Sequence, residues 1–152
     1  MEDAEKYMKL ALEEAQNARL RDEVPIGAVL VHAQTGEIIA RNGNRTIELS
    51  DPTAHAEILV IRQACEQAGA QRIPDCDLYV TLEPCAMCAA AISFARIRAL
   101  YFGASDPKGG AILHGPEFFR QPTCHHRPVV TNGFLESECG TLLKEFFAGK
   151  RK

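Results

Sequence analysis

The chain has 152 residues, 46% hydrophobic and 24% charged, which is a globular composition too apolar for a disordered protein. Seventeen Lys+Arg against twenty Asp+Glu give a formal net charge of −3, which on its own indicates no nucleic-acid partner. Residues 1–20 carry charges throughout, so no secretory leader is expected, and no apolar run approaches the ~20 residues of a membrane helix.

Ala4, Tyr7, Met8, Ala11, Leu12, Ala15 and Ala18 recur at helical spacing, so residues 4–20 are predicted to form an amphipathic helix, ended by Pro25. Ile26 to Val31 reads as an apolar strand. Gln34-Thr35-Gly36-Glu37 turns the chain, and Glu37 to Ala40 returns as the second arm of a hairpin. A polar loop over 42–52 leads to a helix from Thr53, read as its N-cap, to Ala68, with Gly69 at its end. Leu78 to Leu82 is a buried strand stopped by Pro84, Cys85 to Ile97 a helix, and Ala99 to Gly103 a strand. Residues 104–127 hold three glycines and three prolines and read as loop. Val129 to Thr131 is a short strand and Leu135 to Phe147 the last helix. Strand–helix–strand order implies a parallel, right-handed crossover. The expected fold is one three-layer α/β/α domain over 1–152, built on a mixed five-stranded sheet.

Chemistry gathers in two short segments, His55-Ala56-Glu57 and Pro84-Cys85-Ala86-Met87-Cys88, each at a predicted helix start. Cys85 and Cys88 are three residues apart, which puts both sulfurs on one helix face. Two thiolates and an imidazole are three ligands of a tetrahedral zinc site whose fourth position stays open, the pattern of a catalytic rather than a structural zinc. A water in that position has its pKa lowered to about 7. Glu57 follows His55 by two residues, and side chains two apart on a helix point about 200° apart. Both can face the metal only in an irregular first turn, with Glu57 beside the water as proton carrier. Taken singly, H-x-E is most often a surface pair, and C-x-x-C also suits redox or structural zinc. Together, H-x-E and P-C-x-x-C form the signature of zinc-dependent nucleobase deaminases.

The stretches 51–58 and 81–88 closely resemble those of the bacterial tRNA-specific adenosine deaminases, in the cytidine/deoxycytidylate deaminase superfamily. So do Val24-Pro25-Ile26-Gly27-Ala28-Val29, Gly43-Asn44-Arg45, Phe102-Gly103-Ala104, Glu138-Cys139, Leu142-Leu143 and Phe146-Phe147. The resemblance implies the cytidine-deaminase-like fold and hydrolysis of adenosine to inosine at the wobble position of a tRNA anticodon loop. It implies one Zn2+ per subunit on His55, Cys85 and Cys88, with Glu57 as the catalytic carboxylate. Asn44 and the amide of Ala56 would hold the base, and Ile26 and Leu82 would pack on it. Asp106, Lys108, Phe146, Phe147 and the tail Lys150-Arg151-Lys152 would contact the RNA. The resemblance implies a homodimer; the charged first twenty residues and the lack of a membrane-length apolar run predict a cytoplasmic chain. Residues 109–123 depart from its pattern, and His125-His126-Arg127 stands where the family has Asn-His-Arg.

Two other functions use the same motifs. One is deamination of a free base or nucleotide such as guanine, cytidine or deoxycytidylate. The other is a non-catalytic, zinc-stabilised RNA-binding subunit, against which Glu57 argues. Residues 1–84 hold eight Lys+Arg and fifteen Asp+Glu, whereas 85–152 hold nine and five. Positive charge therefore gathers in the half expected to meet phosphates. Cys65, Cys76, Cys124, Cys139, His32 and His114 are read as core or surface residues. Glu83 is given an orienting hydrogen bond, and Cys124-His125-His126 is read as an RNA-contacting or dimer-interface loop, with a second metal as the lesser alternative.

Overall fold

A computed structural model describes residues 2–150. Burial along the second element explains the layering. In β1 (Gly27–His32), Ala28 and Leu30 face one side of the sheet and Val29 and Val31 the other, and all four are buried. A strand buried on both faces needs a layer on each. The Ala28–Leu30 face, with Leu78 and Val80 of β3 (Cys76–Leu82) and Leu100 and Phe102 of β4 (Ala99–Ala104), packs against α2 (Ala56–Ala68) and α3 (Ala86–Phe94). Val29, Val31 and Tyr79 pack against α1 (Glu2–Leu20), and α4 (Glu136–Lys150) lies beside α1 over β3 and β4. The three layers are those expected.

The sheet order is β2-β1-β3-β4-β5, with β2 (Ile38–Gly43) and β5 (Val129–Asn132) at its edges. β1 is antiparallel to β2 and β3, while β3, β4 and β5 are parallel. The carboxyl ends of β2, β3 and β4 and the amino end of β1 therefore share one edge, where ligands of open α/β sheets bind.

Several boundaries differ from expectation for local reasons. β2 runs on to Gly43, because polar Arg41 and Asn42 still pair with Val29 and Ala28. α2 starts at Ala56 rather than Thr53: the Thr53 N–H and hydroxyl both donate to Asp51 Oδ1, at 2.9 and 2.7 Å, and make a turn instead of a cap. α3 ends at Phe94, three residues early, before Arg96 at φ 62°. The segment after β4 is more than a loop. Parallel strands need a crossover of a dozen or more residues. Here it passes over the α2–α3 face, burying Ala111, Ile112, Phe119 and Cys124 in the core.

α1 lies very close to the β1–β2 hairpin. Gly27 and Gly43 are paired across it, and a Cβ on Gly27 would lie 1.9 Å from the Ala11 carbonyl oxygen. That neighbour is helix backbone and cannot swing away. Gly27→Ala is expected to cost about 3 kcal/mol, as strong overpacking does, and the midpoint of a urea titration reads it directly.

Candidate active site

His55 and Cys85 occupy equivalent places. Each is the residue before a helix, in extended backbone (φ −73°, ψ 152° and φ −74°, ψ 175°), and neither side chain caps its own helix. Both are therefore free to turn to the same point. Cys88, in the first turn of α3, joins them, so the two cysteines are not on a regular helical face as expected; one precedes the helix. His55 Nδ1 lies 3.7 Å from Cys85 Sγ and 3.5 Å from Cys88 Sγ. A tetrahedral zinc with Zn–N about 2.0–2.1 Å and Zn–S about 2.3 Å has nitrogen–sulfur edges of about 3.6 Å. The triad fits the ion as it stands, through Nδ1. Among the described residues it is the group of three placed to share a metal.

The Cys88 thiol and the His55 ring hydrogen-bond to Cys85 and hold it down at about 4, a thiolate despite its burial. Cys88 is pushed up by the same hydrogen bond and by burial. His55 is raised chiefly by its bond to Cys85. The amino ends of α2 and α3 add positive potential that favours thiolate.

Glu57 stands beside this group, close enough for its charge to act on both His55 and Cys88. It is buried, Oε1 has no hydrogen-bond partner, and desolvation pushes it up to about 7. A buried carboxylate oxygen left without a donor costs about 1–3 kcal/mol. A carboxyl near 7 can take up and release a proton close to neutral pH.

Asn44 Oδ1 accepts the Ala56 N–H at 2.8 Å, and so caps α2 from a neighbouring loop. The Ala56 amide expected to assist a base is thus already committed to Asn44. The Asn44 amide nitrogen remains as the donor of this pair. Ile26, half-buried, is tied to Asn44 through the Asn44 N–H, which donates to its carbonyl at 3.1 Å. Leu82, Asp106, Lys108 and Phe147 line one groove of about 370 Å³, together with Lys144 and Leu143. Phe146 does not join them. On α4 it shares the buried face of Cys139 and Leu142, while the groove face carries Gly140, Leu143, Lys144 and Phe147. Phe146 is a packing residue, and Lys150 Nζ, over its ring, pairs with Asp22 at 2.6 Å. Arg151 and Lys152 lie outside the described residues.

Two buried glutamates anchor the loops around the site. Glu23 accepts the backbone N–H groups of Ile47 and Glu48 and the Thr46 hydroxyl. Glu83 accepts from Asp106, Ile112, Leu113 and His114; burial raises its pKa, but these bonds and the His114 ring outweigh it and hold the carboxyl low. Glu83 thus does far more than the single orienting bond expected, and His114 is its partner. The signal was an acid closing the otherwise apolar strand Leu78–Leu82. Cys124 and His126 bond to the His126 and Ile97 carbonyls, which makes them local anchors and not a second metal site.

His55→Ala or Cys88→Ala is expected to abolish zinc retention, measured by atomic emission on purified protein. Glu57→Ala retains one zinc per chain, because it supplies no ligand.

The sequence profile of the cytidine and deoxycytidylate deaminase zinc-binding region matches residues 1–104. A curated tRNA-specific adenosine deaminase of Agrobacterium fabrum is 66% identical over 145 residues, 95% of this chain and 94% of that protein. A solved structure from work on A-to-I editing by tRNA:A34 deaminases at the wobble position of transfer RNA superposes with TM-score 0.88. It is 66% identical and covers 91% of this chain and 99% of its own. A guanine deaminase from Nitrosomonas europaea, 27% identical, superposes with TM-score 0.81 over 95% of this chain and 84% of its own. With its zinc triad and carboxylate in place, the chain belongs to the zinc-binding cytidine and deoxycytidylate deaminase family and, within it, to the tRNA-specific adenosine deaminases.

Proposed function

We propose that the whole chain works as one deaminase domain that hydrolyses adenosine to inosine at the wobble position of a tRNA anticodon loop. The observation that carries the chemistry is the buried Glu57, one oxygen unpartnered, beside the His55–Cys85–Cys88 triad. Zinc bound there supplies a Lewis acid that acidifies a water. Glu57 accepts the proton of the attacking water and delivers protons to the purine ring nitrogen and the departing amine. A C6–O bond forms, the C6–N bond breaks, and inosine and ammonia result. A carboxyl near 7 suits both halves of this shuttle. Asn44, fixed by the Ala56 N–H, offers its amide nitrogen to the base.

The fold alone does not choose the base, since the guanine deaminase shares it. The tRNA-specific relatives support RNA. So does the groove, whose Leu82, Leu143 and Phe147 give apolar surface for a stacked base while Lys108 and Lys144 meet phosphates. An unpaired anticodon base suits the site, because extrusion from a duplex costs a few kcal/mol. The homodimer rests on the resemblance and on the exposed apolar Ile47, Leu49 and Phe94, which a second copy would cover. No helix among the described residues is long and apolar enough to cross a membrane. A cytoplasmic location accords with six free cysteines and a thiolate metal site.

An assay offering an adenosine-containing anticodon stem-loop, its DNA analogue, and free adenosine, guanine and cytidine is expected to release ammonia fastest from the RNA. Turnover of a free base with the RNA untouched would overturn the reading. Glu57→Ala should lower kcat by about 10²–10⁴-fold, the usual worth of a general acid–base, while zinc stays bound.

A further inference from the structure

Cys85 is separated from Glu83 by a single, conformationally stiff proline. The Glu83 side chain is fully buried, and its hydrogen bonds all go to the segment 106–114. Its two oxygens divide the following loop between them. Oε1 accepts the Asp106 N–H at 2.9 Å and faces His114 Nδ1 at 2.9 Å. Oε2 accepts three successive N–H groups, Ile112, Leu113 and His114, at 3.0, 2.8 and 3.2 Å. Both ends of the segment 106–114 therefore close on one carboxylate. The main chain reinforces this: the Glu83 N–H donates to the Ala104 carbonyl at 2.8 Å, and the Ala111 N–H to the Pro84 carbonyl at 2.9 Å. Gly110 lies so close that a Cβ there would be 2.4 Å from Glu83 Cδ.

An apolar side chain would fill this place without the cost of burying a charge. It could not gather four amides and a ring nitrogen from one loop. We propose that Glu83 is the positioning residue that fixes the groove loop, with Asp106 and Lys108, relative to the metal-ligating Cys85. The assignment rests on the RNA-deaminase reading for its kinetic consequence, though not for its geometry. Asp106 passes the constraint on, since its Oδ1 accepts the Lys108 and Gly109 N–H groups at 3.2 and 3.0 Å. Lys108 is thereby held at the groove.

Glu83→Gln keeps the volume and one acceptor oxygen but turns an NH2 toward the remaining donors. In the zinc-loaded full chain it is expected to raise KM for the anticodon stem-loop about tenfold, with kcat within about threefold and one zinc per chain. Lys108→Ala, expected to raise KM in the unsubstituted protein, should add less than about twofold in the Glu83→Gln background. Unchanged KM, a fully multiplicative double variant, or loss of zinc together with kcat would overturn the assignment, the last marking a merely structural residue. Amide hydrogen exchange reads the clamp without RNA. Residues 106–114 should exchange faster in Glu83→Gln while α3 keeps its protection, and unchanged exchange overturns the clamp even if the RNA reading fails. Should Glu83→Gln not fold, His114→Ala removes only the ring contact, with an expected KM rise of about threefold and faster exchange at 112–114; no change in either overturns the proposal.

Discussion

Two helices that begin at one point hold this site together. α2 and α3 both start at the sheet edge formed by the carboxyl ends of β2 and β3, and the residue before each is a metal donor. The position before a helix normally carries a side chain that caps it, worth about 1 kcal/mol. Here neither His55 nor Cys85 does so, and the donors point outward to each other. α2 recovers a cap from Asn44, one loop away. The loss of local capping and the gain of a convergent donor set are the same structural event, and thiolate at a helix start is favoured by the dipole.

The surrounding loops would otherwise be free to drift. They run over the edge of the sheet, where no ladder partners remain for their amides. Buried carboxylates supply the missing acceptors: Glu23 for residues 46–48 and Glu83 for 106–114. Glu83, with several N–H donors, is held low despite its burial, whereas Glu57, short of a partner, is pushed up to about 7. Glu83 and Glu57, both buried, thus behave differently because of the donors around each, and the one short of a donor is fit to move a proton.

Much of this was legible in the sequence, for identifiable reasons. Strands buried on both faces give unbroken apolar runs, and Cys85 and Cys88 have ligand spacing. The requirement that His55 and Glu57 meet the metal from an irregular turn follows from helix geometry and is met by the late start of α2 at Ala56. Other features leave no periodic trace. The 104–127 segment reads as loop because its buried residues, Ala111, Ile112, Phe119 and Cys124, follow no repeat, and the strand that demands a crossover is only four residues long. Phe146 and Phe147 are neighbours in sequence but point about 100° apart on α4, so one packs and the other lines the groove. The Asn44–Ala56 bond joins a loop to a helix start twelve residues on, and only the fold brings them together.

Both loop anchors grip main chain. Except for the Thr46 hydroxyl and the His114 ring, every donor to Glu23 and Glu83 is a peptide N–H, a group that all residues but proline possess. Ile112 is held in the core and Gly110 has no room for a side chain, but exposed side chains such as those of Ile47, Lys108 and Leu113 are under little obligation to the scaffold. They can be exchanged to suit a new substrate while the loop keeps its path, which separates the inheritance of the fold from the invention of specificity.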